Sequence, residues 1–469
     1  MKGQYCIRKK QLPAYLRPMS RTDVICALST APGMGAIALI RMSGAGSISI
    51  LENHLNKPGP YTSRRAYFGA FLRNGSLIDE VVATVFLSPN SYTGEDVVEI
   101  ACHGSVYIQE QIIHALIDSG ARLADPGEYT LRAFMNGKMD LSQAEAVADL
   151  IATENAAGHQ VALQQMRGGF SNDLKVLREE LIHFASLIEL ELDFAEEDVE
   201  FANRSDLLKL IAQISMKIRS LVDSFQVGNV IKKGVPVAII GAPNAGKSTL
   251  LNKLLNEERA IVSEIAGTTR DTIEDEISID GIKFRFIDTA GIRHTTDEIE
   301  SIGIRKAYEK VEQAAIVLFL FDASEPVEEF ERQWNELKPA FGGRKVIVLW
   351  SKSDKSLEKS SAPEGVKALP VSALRGIGIE DLKRELIAEI NLNPLHNRET
   401  IVSNVRHVRA LSLALEALVR ADEGLRNGVT GDFLAQDIRQ ALFHLGEITG
   451  EISTDDLLDN IFSKFCIGK

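Results

Sequence analysis

Eight consecutive residues, Gly241, Ala242, Pro243, Asn244, Ala245, Gly246, Lys247 and Ser248, spell GxxxxGKS, with Thr249 directly after them. A glycine-rich backbone of this length can turn its N–H groups inward around phosphate oxygens. The lysine adds a mobile positive charge, and the serine hydroxyl suits a magnesium ion. Downstream, Gly267-Thr268-Thr269-Arg270-Asp271 brings threonine hydroxyls, Thr269 being the one assigned to complete the magnesium shell and sense a terminal phosphate. Asp288-Thr289-Ala290-Gly291 joins a carboxylate able to hold magnesium through water to a glycine amide able to meet the same phosphate. Ser351-Lys352-Ser353-Asp354 and Ser372-Ala373 complete the set. Asp354 can accept from the N1 and N2 donors of guanine, which adenine does not offer. Five such elements in this order imply a guanine-nucleotide site whose chemistry is GTP hydrolysis.

Two positions depart from the usual pattern. Ser351 stands where an asparagine is customary and is too short to make all the same contacts, so guanine preference is expected to survive with weaker binding. Ile292 follows the DTAG run, where Ras-like GTPases carry a glutamine that orients the attacking water. An aliphatic side chain cannot do this, so the catalytic group must come from elsewhere and another cation must offset charge on the transferred phosphoryl group. Glu300, in DEIESIGI, is the candidate; taken by itself it reads as a solvated helix acid.

The elements that position these residues can be read around them. VPVAII is a buried strand running into the phosphate loop, and TLLNKLL is the helix after it. IKFRFID, AAIVLFLFD, KVIVLW and ALPVSA are further strands separated by helical stretches, the alternation of a mainly parallel sheet. Asp280-Gly281 looks like a tight hairpin turn. Ahead of this region, β-rich runs such as AIALIRMSG and VVATVFLS with a helix over 106–119 read as an α+β domain ending near Gly137. From Leu141, apolar residues recur at helical spacing, and they do so again after Pro394. The expected organisation is an extension or disordered tail at 1–20, an N-terminal domain at 21–137, a helical domain made of 138–232 and 392–469, and a nucleotide domain inserted at 233–391.

Composition limits the remaining classes. A formal charge of −13 opposes a broad nucleic-acid footprint of the chain's own, and no apolar run approaches a membrane span. The four cysteines, Cys6, Cys26, Cys102 and Cys466, are scattered with no zinc or disulfide spacing, which fits a reducing, cytoplasmic setting. Cys466 is expected to be a small buried side chain near a chain end rather than a nucleophile. The basic stretch before Asp23 has a transit-peptide flavour, but Met19 just ahead of the first strand favours an upstream start or a tail.

Beyond the nucleotide motifs, RTDVICALSTAPGMGAIALIRMSG, SYTGEDVVEIACHG, PGEYTLRAFMNGKMDLSQAEAVADLI, IAGTTRD, DTAGIRHTTDEIESIGI and the terminal FCIGK carry a resemblance from about Asp23 to Lys469. The chain resembles the MnmE (TrmE) family of tRNA uridine-modification GTPases. The resemblance implies a multidomain α/β protein: an α+β folate-binding and dimerising N-terminal domain, a discontinuous helical domain, and an inserted Ras-like P-loop G domain. It also implies a homodimer whose G domains meet when GTP and potassium are bound, the potassium replacing an arginine finger. In such enzymes Asn244, Ser263, Ile265 and Thr268 fall on potassium positions, within a loop that also places Glu264, Ala266 and Gly267 against the nucleotide. Glu300 falls on the catalytic glutamate. Arg41, Glu99, Lys138 and Lys469 fall on positions that contact 5-formyl- or methylene-tetrahydrofolate. Such proteins form a heterotetramer with an FAD-dependent partner, MnmG (GidA), and act on tRNA, adding a carboxymethylaminomethyl group to C5 of the wobble uridine. The competing readings are a ribosome-assembly GTPase of the Era or Der type, for which no RNA-binding module is visible, and a folate-dependent one-carbon transferase merely regulated by GTP.

Overall fold

A computed structural model describes residues 23–57, 59–193, 204–258, 275–287, 309–355, 363, 365–390 and 400–468. They fall into two compact units, one holding the residues up to Ala148 together with Leu445 onward, the other Asp149–His444.

In the first unit, strands β1 (Ile25–Leu28), β2 (Ile37–Ser43), β3 (Arg65–Arg73), β4 (Ser76–Phe86), β5 (Val97–His103) and β6 (Arg122–Leu123) form a sheet in the order β3-β4-β5-β2-β1-β6. Asn74 and Gly75 both have positive φ, 51° and 80°, the backbone that a two-residue hairpin between β3 and β4 requires. Strand alternation sends Ile40, Met42, Ile100 and Cys102 into a core shared with helices α1 (Ser47–His54) and α2 (Val106–Asp118). Arg41 and Glu99, one residue out of phase with that set, therefore share the other face and are register partners across β2 and β5.

Helix α3 (Glu128–Met135) carries a dense ion network. Arg132 bonds Asp23 and Glu128 at 2.9 and 3.0 Å, and Arg122 also holds both carboxylates. Glu128 is 1% exposed. Burial opposes its ionisation, but the Arg122 and Asp125 hydrogen bonds and the two guanidinium charges outweigh it and hold the carboxyl below its usual range. The helix Asp455–Phe462 packs here too: Leu458, Ile461, Phe462 and Phe465 join Leu131, Leu141 and Ala144 in one apolar cluster. The final helix thus lies in the first compact unit, packed against Leu131, Leu141 and Ala144.

After helix α4 (Leu141–Ala152), the second unit contains α5 (Ala156–Met166), α6 (Gly169–Asp193) and α7 (Arg204–Lys233), and a second sheet in the order β12-β11-β10-β7-β9-β8. Its strands are β7 (Val235–Gly241), β8 (Asp275–Ile279), β9 (Ile282–Phe286), β10 (Ile316–Asp322), β11 (Lys345–Ser351) and β12 (Lys367–Pro370). All neighbours are parallel except the β8–β9 hairpin, turned by Asp280 and Gly281 with φ 49° and 77°. Each central strand is apolar on both faces, as a covered parallel sheet demands. Val237, Ile239, Leu318 and Leu349 meet α8 (Lys247–Glu258), whereas Ala238, Ile240, Phe319 and Trp350 meet Phe330 and Trp334 of α9 (Val327–Phe341). Helix α10 (Ile379–Ala388) adds Leu382 and Leu386 on the α8 side.

The chain before and after this sheet meets again at α7. Val402 donates its N–H to Ser224 Oγ at 3.0 Å, and Gln165 Nε2 donates to the Ile401 carbonyl at 2.8 Å. A β-carbon on Gly228 would lie 2.1 Å from the Val402 carbonyl oxygen, so only glycine permits this approach. Helix α11 (Val405–Arg426) then runs along α7. No helix among the described residues is long and apolar enough to cross a membrane.

Candidate functional site

Parallel strands place their following loops along one edge of a sheet, which is where open α/β folds take ligands. Strand β7 delivers the phosphate loop to that edge. Gly241 ends the strand with φ 150°, and a β-carbon there would stand 2.2 Å from the Leu320 carbonyl oxygen. Asn244 and Gly246 follow with φ 60° and 97°, so the loop curls before α8 begins at Lys247. Ala245 N–H returns to the Ala242 carbonyl at 3.3 Å, and Leu250 N–H to Gly246 at 2.9 Å. Ser248 and Thr249 thereby occupy the first helical turn, where backbone N–H groups have no intrahelical acceptor and favour an anion.

Lys247 curls back over the loop, donating to the Gly241 and Ala242 carbonyls at 2.8 and 2.6 Å. Burial, joined by the like charge of Lys310, pushes its ammonium down to about 8. Among the described residues its hydrogen-bond partners are these two neutral carbonyls, and a cation so held gains strongly from an anionic partner.

Strands β11 and β12 supply the opposite wall. Lys352, with φ 55°, donates from Nζ to Asp322 Oδ2 at 2.6 Å. Burial opposes the charge on Asp322, but hydrogen bonds from Lys352 and Ser324 prevail and keep its carboxyl below the ordinary range. Asp354 is held low by a hydrogen bond from the Ser372 side chain. Ser372 is fixed in turn by a reciprocal backbone pair with Ile377 at 2.9 and 3.1 Å. Gly246, Thr249, Lys352, Asp354, Ser372 and Ala373, separated by more than a hundred residues in sequence, line a single cavity of about 210 Å³, with Leu250, Leu320 and Leu374 giving it apolar surface. A flat aromatic base has apolar faces and a polar edge, and this cavity offers the same division.

Asp322 is the contributor that sequence reading missed. Its signal is a lone acid closing the otherwise apolar IVLFLFD run at the C-terminal end of β10. Ser263, Glu264, Ile265, Ala266, Gly267, Thr268, Thr269, Asp288, Thr289, Ala290, Gly291, Glu300 and Lys469 lie outside the described residues.

The second candidate set belongs to the N-terminal unit. Arg41 binds Glu99 through Nη2 and Nε at 2.7 and 2.9 Å. Its guanidinium stands over the rings of Tyr92 and Tyr129 at 5.9 and 5.7 Å. Its Nη1 reaches the Gly468 carbonyl at 3.4 Å, and Ser29 Oγ donates to the same carbonyl at 3.2 Å. The last described residues are thus seated beside Arg41. Lys138 donates instead to the Pro89 carbonyl at 2.8 Å. Cys466 is exposed, contrary to the expectation of burial, because Phe465 takes the inward position and the backbone turns Cys466 away from the apolar cluster. No group of histidine, cysteine and acid side chains among the described residues is arranged to hold a metal ion by itself.

Comparison with known proteins divides the chain between residues 138 and 141. The MnmE helical domain family matches residues 141–466, and the family described as GTP-binding protein TrmE N-terminus matches residues 24–138. The tRNA modification GTPase MnmE of Christiangramia forsetii is 53% identical, covering 96% of this chain and 100% of that one. The protein of the same name from Flavobacterium johnsoniae is also 53% identical with the same coverage, and that of Bacteroides thetaiotaomicron is 51% identical over 95% of this chain and 99% of its own length. Among solved structures, Era in complex with MgGDPNP and 16S ribosomal RNA nucleotides is 29% identical over 39% of this chain and 66% of that chain, at a TM-score of 0.25.

Proposed function

The chain belongs to the MnmE family of tRNA modification GTPases, and from that premise we propose that it hydrolyses GTP in a potassium-dependent G-domain dimer while serving, with an FAD-containing partner, the carboxymethylaminomethylation of wobble uridine. The observation that carries the nucleotide half is the single cavity formed by Gly246, Thr249, Lys352, Asp354, Ser372 and Ala373. In this reading Asn244, Ala245, Gly246 and Lys247 wrap the phosphates, and Asp354 takes the guanine N1 and N2 donors. Ser248, at the first turn of α8, fits a magnesium ligand because its side chain is a hard oxygen donor beside the phosphate loop. Thr269 is its second proposed protein ligand. Magnesium supplies charge neutralisation on the transferred phosphoryl group. Asn244, Ser263, Ile265 and Thr268 as potassium ligands, and Glu300 as the group that orients the attacking water, rest on the family resemblance.

For the N-terminal unit we read Arg41, Glu99, Lys138 and Lys469 as a reduced-folate site. The Arg41–Glu99 pair supports it, because a pterin edge seeks a carboxylate and a glutamate tail seeks a cation. The rings of Tyr92 and Tyr129 beneath Arg41 hold its guanidinium in place. The folate supplies the one-carbon unit; the chain's residues bind and orient it. A homodimer through the N-terminal units and a heterotetramer with the FAD protein complete the proposal.

The deciding experiment is GTP turnover in potassium against sodium, with wild type beside Lys247→Ala and Glu300→Ala. Potassium stimulation abolished by both substitutions is the expected result. Equal rates in the two salts would sink the cation-activated mechanism and leave an ordinary nucleotide switch.

A further inference from the structure

Strand β11 ends at Ser351, the position where the guanine-reading pattern customarily carries a carboxamide. Its carbonyl accepts from Ala323 N–H at 2.9 Å, and the residue borders the nucleotide cavity beside Lys352 and Asp354. Ser351 is 5% exposed, and its hydroxyl oxygen is buried without a hydrogen-bond partner among the described residues. Buried hydroxyls almost always find a partner, since an unmet one keeps its full desolvation penalty. Of the neighbouring charged groups, Asp354 is engaged by Ser372 and Lys352 by Asp322, while the Ser353 hydroxyl, like that of Ser351, is buried without a hydrogen-bond partner among the described residues. One stretch of wall therefore holds a carboxylate already positioned for its work near a buried hydroxyl that makes no hydrogen bond among the described residues.

Guanine has two hydrogen-bonding edges, the N1 and N2 donors and the O6 and N7 acceptors. Asp354 can serve only the first. A donor at position 351 can serve only the second, and an asparagine would place a two-donor amide farther from the backbone than serine places its hydroxyl. We propose that Ser351 leaves N7 of the base unread. Guanine is then selected through Asp354 without help from this position, the site tolerates change at ring position 7, and guanine nucleotides are held less tightly than an asparagine would hold them. This inference rests on the assignment of the cavity as the base site.

The test is displacement of a fluorescent GDP analogue from the full-length protein by GDP and by 7-deaza-GDP, which lacks only the N7 acceptor. Wild type and Ser351→Ala are expected to bind the two competitors equally, within about twofold. Ser351→Asn is expected to gain about three- to tenfold for GDP, the span of one hydrogen bond, and nothing for 7-deaza-GDP. A wild-type preference for GDP of fivefold or more that Ser351→Ala removes would show that the hydroxyl does read N7 and would overturn the proposal. Weaker binding of both competitors by Ser351→Asn would overturn it as well, because the position would then be limited by space. Failure of the underlying assignment is distinguishable: Asp354→Asn would leave GDP affinity unchanged.

Discussion

The two sheets present their candidate binding groups in opposite ways. In the second unit, the groups stand on loops beyond the ends of parallel strands β7, β11 and β12, where backbone conformation does most of the work: Asn244 and Lys352 both adopt positive φ to turn the chain around the cavity. In the N-terminal unit, Arg41 and Glu99 sit in mid-strand on antiparallel neighbours and meet because the β2–β5 register makes them partners. A loop site can be retuned one residue at a time. A register site is all or nothing, since a slip of one residue sends both side chains to the opposite face.

That contrast can be broken or sharpened by substitution. The largest effect is expected at the phosphate loop: Lys247→Ala should lower single-turnover GTP hydrolysis by about a thousandfold, since it removes a cation placed on the transferred charge. A residual rate within tenfold of wild type would mean that the loop backbone suffices. Next comes the scaffold of the N-terminal unit. Glu128→Gln leaves Arg122 and Arg132 without their innermost carboxylate and should cost about 3 kcal/mol in denaturant unfolding, as broken buried pairs do. The sign of the pH effect follows from the depressed carboxyl. Its stabilisation is complete above the unfolded value of 4.5 and is lost as pH falls through the lower folded value. The gap between Glu128→Gln and wild type should accordingly shrink on acidification below pH 4.5, and a gap that stays constant would remove the ion network from the explanation.

Smaller effects separate the two sites directly. Arg41→Ala should weaken 5-formyltetrahydrofolate by about tenfold in equilibrium titration, the worth of a charge-assisted hydrogen bond, while guanine nucleotide affinity stays within about twofold. Equal losses for both ligands would show that the register pair supports the whole protein and not one ligand. The smallest expected change is a proton: with Lys247 at about 8 in the free protein, GTP binding should take up a fraction of a proton near pH 8, and its affinity should fall as pH rises above that value. Calorimetry in buffers of different ionisation enthalpy reads this uptake, and a null result would mean that Lys247 stays fully charged.

The same contrast decides what could be read in advance. The phosphate loop, its strand and its helix are contiguous, so GxxxxGKS between VPVAII and TLLNKLL locates them without coordinates, and the Asp280-Gly281 turn was legible for the same local reason. Arg41 and Glu99 are 58 residues apart, and no local pattern announces their pairing; only family resemblance brought them together. Asp322 escaped notice because its partner, Lys352, lies across β10 and β11. Cys466 was misjudged because a chain end gives no periodicity from which to tell its inward side from its outward one.

The shared apolar cluster of Leu131, Leu141, Leu458 and Phe462 imposes an order of events on biosynthesis. Its two halves are separated by the whole second unit, so the segment made first must wait for residues made roughly 300 positions later, about 15 to 60 seconds at ribosomal speeds of 5 to 20 residues per second. During that interval Leu131 and Leu141 lack this part of their cover, and the cluster can close only once Leu458 and Phe462 have been made.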